Sequence, residues 1–138
     1  MSDPAASFEW SDAWVLLVVV VGGGQAGADL RGISAAADYI NHAIPTYAEL
    51  DGGLMRLKSI GFVEEHGSTY RVSDDIWARY VVTTKPGRSI WQDFDEMEAL
   101  LSHSPAVRLV SGAVISHAMY EEAVQTYLNQ HRVKEMRT

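Results

Sequence analysis

Three groups of residues have the types and spacing that chemistry uses. Gly22, Gly24 and Gly27 satisfy G-x-G-x-x-G directly after the apolar run Val18-Val19-Val20-Val21. Such glycines make a turn tight enough for backbone amides to approach a pyrophosphate at a helix start. The motif also needs an acidic residue about 20 positions on, for the ribose hydroxyls. Here that position falls at His42-Ala43-Ile44-Pro45, where a helix should end. His117 and Glu121 lie four apart on an expected helix. That spacing can set two metal ligands side by side, but no third or fourth ligand follows at a recognisable interval. Asp93, Asp95, Glu96 and Glu98 look like paired carboxylates. Acids in the first turns of a helix, however, simply answer the positive end of its dipole. No G-x-S-x-G elbow, phosphate-binding P-loop or H-E-x-x-H is present. The expectation is a non-catalytic protein without cofactor or metal, with a dinucleotide site at residues 22–27 as the remote alternative.

The elements that would position these residues come next. A chain of 138 residues with 47% hydrophobic and 21% charged side chains supports one domain with a real core. Its formal charge of −7 works against unspecific attraction to phosphate backbones. With no cysteine, disulfides and thiolate metal sites are excluded. The apolar run at residues 14–21 is too short for a membrane-spanning helix, which needs about 20 residues. Asp3, Glu9 and Asp12 precede that run and no Lys or Arg does, the reverse of a signal peptide. The expected setting is cytoplasmic, with no membrane partner.

Residues 1–11 read as a flexible tail. Ser11 or Asp12 can cap a first helix to about Val21, and Asp29 a second, with Leu30, Ile33, Ala36, Ala37 and Ile40 at helical spacing. Thr46-Tyr47-Ala48-Glu49 is a capping box opening a third helix, with Leu50, Leu54 and Leu57 on one face and Gly61 as its left-handed stop. Residues 62–65 and 70–72 read as strands around a His66-Gly67-Ser68-Thr69 turn. Ser73 then caps a fourth helix with Trp77, Tyr80, Val81 and Thr84 inward. A fifth spans residues 89–102 with Ile90, Phe94, Met97 and Leu101 as its stripe. Residues 107–115 fit a short strand or an irregular stretch. A last helix over residues 116–132 should bury Tyr120, Val124, Tyr127 and Leu128. His131, Arg132, Lys134 and Arg137 make a basic end that suits a helix C-terminus.

Three helices followed by a hairpin resemble the winged helix-turn-helix superfamily of MarR-type and related bacterial regulators. The most specific part is Leu54-Met55-Arg56-Leu57-Lys58-Ser59-Ile60-Gly61-Phe62-Val63, which is similar to the end of a recognition helix entering its wing. Tyr70-Arg71-Val72-Ser73 resembles the returning strand and the cap after it. The resemblance implies an α+β, mainly helical fold: a winged-helix core over residues 12–75 and a helical C-terminal extension over residues 76–138. It also implies that the third helix lies in a DNA major groove. The DNA contacts would then come from Thr46, Tyr47, Arg56, Lys58, Ser68, Thr69 and Arg71.

The charges point to another reading. Between residues 28 and 75 the acids are Asp29, Asp38, Glu49, Asp51, Glu64, Glu65, Asp74 and Asp75, against Arg31, Arg56, Lys58 and Arg71. Asp51 on the outward face would repel phosphate, and base edges are read by Arg, Lys, Asn, Gln, Ser or Thr. The same surface, Asp51 included, suits a basic protein partner. Two binding functions are therefore expected to compete: a DNA-binding transcriptional regulator, and a protein-interaction module with an acidic recognition helix. A homodimer is expected through Phe94, Met97, Leu101 and Tyr120, Val124, Tyr127. Trp10, Trp14, Trp77 and Trp91 fall near helix starts or on inner faces, where core packing is the default; an exposed tryptophan can instead anchor a partner.

Overall fold

The computed structural model describes residues 5–6, 8–83, 87, 89–103, 107–108 and 113–136. The chain is α+β and mostly helical. In order it runs β1 (Ala5–Ala6), α1 (Trp10–Gly23), α2 (Leu30–Asn41), α3 (Tyr47–Ser59), β2 (Val63–His66), β3 (Thr69–Val72), α4 (Asp74–Thr83), α5 (Ile90–Ser102), β4 (Val107–Arg108) and α6 (His117–Met136). Two small antiparallel pairs form, β1 with β4 and β2 with β3.

The valine-rich run is a helix, and it is the centre of the molecule. Every residue from Ser11 to Val20 is buried, because α2, α3, α5 and β3 pack around α1. A helix that is apolar all round needs such a wrapping. β-Branched residues are weak helix formers, so tertiary burial, not propensity, holds this one. Its cap lies earlier than Ser11 or Asp12: Glu9 is the capping residue, and Asp12, inside the first turn, accepts from the Glu9 amide at 2.8 Å.

The next elements follow local rules. Asp29 caps α2, accepting from the Gly32 amide at 2.8 Å. The Thr46–Glu49 capping box opens α3, and Leu50, Leu54 and Leu57 turn inward onto α1. A Schellman closure ends the helix: Gly61, with φ +79°, donates to the Lys58 carbonyl and Phe62 to that of Leu57. The hairpin turn is tighter than the sequence suggests. His66 pairs with Thr69, leaving Gly67 and Ser68 as a two-residue loop. Ala28 and Tyr70 exchange two 2.8 Å backbone hydrogen bonds, which tie the link between α1 and α2 to the hairpin.

Three expectations about side chains need correction. On α4 Ile76 is buried, and Trp77 and Tyr80 are half-buried against the core as expected; Val81 is 53% exposed, and Thr84 lies outside the described residues. On α6 Tyr120, Val124 and Tyr127 are half-buried, whereas Leu128 is exposed. The two stripes assigned to a dimer are used within one chain. Phe94, Met97 and Leu101 are buried in the core, with α5 against α1, and α6 runs along α2. Residues 109–112 and Arg137 lie outside the described residues. No helix among the described residues is long and apolar enough to cross a membrane.

Candidate partner-binding site

The residues expected to bind a partner are divided by the fold into separate groups, most of them already engaged. Tyr47 and Asp51 lie one turn apart on α3, and residues 114–120 cover them. Asp51 is 8% exposed and accepts from the amides of Val114 at 2.7 Å and Ile115 at 2.9 Å. The Tyr47 hydroxyl donates to the Ile115 carbonyl at 2.8 Å, and its ring stacks on His117 with centroids 3.7 Å apart. Tyr120 stands edge-on to Tyr47 and donates to the Pro45 carbonyl at 2.5 Å. Desolvation first, and the Asp51 charge second, raise the Tyr47 phenol above its ordinary pKa.

Arg56 points to the other side of α3. It makes a two-point pair with Asp12, Nε to Oδ2 and Nη2 to Oδ1, both 2.7 Å, and its Nη2 lies 3.8 Å from Glu9. The Asp12 side chain is fully buried and the Arg56 side chain only 11% exposed. The hydrogen bond to Asp12 raises the Arg56 pKa further. This cation is structural, a role that its place on an expected outward face does not disclose.

The remaining candidates belong to the hairpin and its borders. Lys58 pairs with Glu65 at 2.7 Å. Arg71 pairs with Asp74 at 2.6 Å, its Nε lying 3.8 Å from Glu64. Tyr70 donates to Glu65 at 3.3 Å, and desolvation, followed by the Glu65 charge, pushes its pKa up to about 12. Thr46 is spent on its capping box, and Thr69 donates to the His66 carbonyl at 2.8 Å. Ser68 sits at the exposed turn, on the rim of an open groove of about 350 Å³ between the start of α2 and α6, lined by Leu30, Met119 and Ala123.

The glycine run does not form a cradle for a pyrophosphate. The segment before it is a helix, not a strand, and a helix C-terminus presents carbonyls where a phosphate needs amides. Gly23 serves packing: a Cβ there would lie 2.3 Å from the Ala28 nitrogen. His117 is engaged with Tyr47, and among the described residues no three His, Asp or Glu side chains converge as a metal ion would require.

Sequence reasoning missed two features. Asp12, read as a cap, is the partner of Arg56. The segment at residues 114–120, left undefined up to Ile115, closes over α3. Asp51, beside the inward Leu50 and Leu54, was the one available signal, since a carboxylate near a core stripe needs buried donors. Comparison with protein-family models, with curated proteins and with solved structures found no match to this chain.

Proposed function

We propose that this chain is a non-catalytic, winged-helix-type binding module that recognises a basic protein partner and not DNA. The layout of α2, α3 and a hairpin joined by the Ala28–Tyr70 rung supports the winged-helix part of the reading. One observation carries the choice of partner: Arg56, Lys58 and Arg71 are each paired with a carboxylate of the same chain. DNA affinity comes largely from cations that neutralise phosphates and release counterions. Exposed pairs such as Lys58–Glu65 are weak and can exchange partners. In doing so, however, they would bring Glu64, Glu65 and Asp74 up to the phosphates with them. The buried Arg56–Asp12 pair cannot exchange without stranding a carboxylate.

The competing reading, a DNA-binding regulator, draws on the same layout. Fluorescence anisotropy with mixed-sequence duplex DNA at low salt separates the two. The protein-binding reading expects no saturable binding. Binding that falls steeply with salt, with a slope reduced by about one in Arg71→Ala, would establish the regulator instead. The lack of cysteine fits work in a reducing cytoplasm.

A further inference from the structure

Two tryptophans stand half in water against a single phenylalanine. Trp10, the first residue of α1, is 48% exposed, and Trp91, in the first turn of α5, is 46% exposed. Their ring centroids lie 5.0 and 5.9 Å from that of buried Phe94. Trp14 lies 5.8 Å from Trp10, and its buried indole N–H has no acceptor among the described residues. Each exposed indole thus rests on buried aromatic rings and is set in place before any partner arrives. Such preorganisation lowers the cost of association, and tryptophan is enriched among the residues that dominate binding energy.

Two carboxylates share the helix face of Trp91. Asp95 and Glu98 are exposed and follow Trp91 by one and two helical turns on the same face. The faces of indole rings are themselves electronegative and attract cations. Aromatic faces and carboxylates together complement an arginine: its planar guanidinium stacks on a ring while its donors reach a carboxylate. The groove beside Ser68 is lined by Asp29 and Glu122 but by no aromatic ring, and the exposed Val81 and Val82 of α4 are aliphatic.

We infer that Trp10 and Trp91, with Asp95 and Glu98 on the face of Trp91, form a docking ledge for an arginine-bearing segment of a basic protein. The inference rests on the protein-binding reading above and assigns it a surface away from α3 and the hairpin.

The test is calorimetric titration of the full chain with a capped peptide of alternating arginine and leucine. Two parallel arms use the same peptide with citrulline for arginine and a mixed-sequence DNA duplex. The ledge requires saturable binding of the arginine peptide, weakened about tenfold or more by Trp91→Ala and clearly weakened by Asp95→Lys. The citrulline peptide should not bind. Asp95 is exposed, so its variant reports on the ledge without disturbing the core, and circular dichroism checks both folds. The proposal is overturned if the arginine peptide does not saturate, if both variants bind it as the parent does, or if citrulline serves equally well. DNA binding would overturn the functional reading beneath it, whereas a failed peptide titration without DNA binding would remove the ledge alone.

Discussion

Asp12 and Arg56 meet across the α1–α3 packing as a two-point ion pair, with both N–O distances 2.7 Å and the carboxylate fully buried. Asp12 also accepts from the Glu9 amide, so one carboxylate joins the start of the central helix to the helix expected to recognise a partner. Arg56→Ala strands that charge in the core and should lower unfolding free energy by about 3–5 kcal/mol, read by urea denaturation. Adding Asp12→Asn should recover part of the loss, because a neutral amide is cheaper to leave unpaired than a carboxylate. A cost near zero for Arg56→Ala would show that the pair contributes nothing net.

Asp51 holds residues 114–115 against α3 through two backbone amides. Asp51→Ala leaves both amides without their acceptor and should cost about 2–6 kcal/mol, from roughly 1–3 for each orphaned group. Hydrogen exchange at Val114 and Ile115 should accelerate more than exchange in α1. Tyr47→Phe removes only the hydroxyl bond to Ile115 and should cost about 1 kcal/mol. Equal acceleration at every amide in Asp51→Ala would mean global loosening and not release of this segment.

Gly53 lies where α3 crosses α1. An added Cβ would stand 3.0 Å from Val15 Cγ2 and 3.3 Å from Asp12 Oδ1. Alanine should gain about 1 kcal/mol of helix propensity, yet overpacking against buried, β-branched Val15 costs about 1–3 kcal/mol. Gly53→Ala should therefore fail to stabilise the protein and is expected to lower its thermal midpoint. A raised midpoint would show that the two helices can separate freely.

Tyr70 and Tyr127 give the protein an alkaline limit. Desolvation first, then Glu65 for Tyr70 and Asp38 for Tyr127, push both phenols up to about 12 from an ordinary 10.0. Folded pKa values raised above the unfolded ones mean that the folded chain binds more protons between pH 10 and about 12. Their contribution is complete below pH 10 and falls as pH rises towards the folded value. The urea midpoint should decline across that window, and Tyr70→Phe and Tyr127→Phe should each make the decline shallower. An unchanged slope in both variants would refute the assignment.

The features readable from the chain alone share one physical property: both partners lie within a few residues. The Asp29 cap, the Thr46–Glu49 box, the Gly61 closure and the inward leucines of α3 all depend on local backbone geometry and helical spacing. The hairpin was legible for the same reason, with an error of one rung at its turn. Apart from Thr69, read in the turn but lying on β3, the candidate residues fall on the elements expected of them, but their partners were not foreseeable. Arg56 reaches an acid 44 positions away, Asp51 an amide 64 away, and the Tyr127 hydroxyl a carboxylate 89 away. Helical periodicity says which residues share a face; what comes to lie against that face depends on how the helices pack. That packing placed a valine-rich helix at the centre, closed residues 114–120 over α3, and left Trp10 and Trp91 facing water.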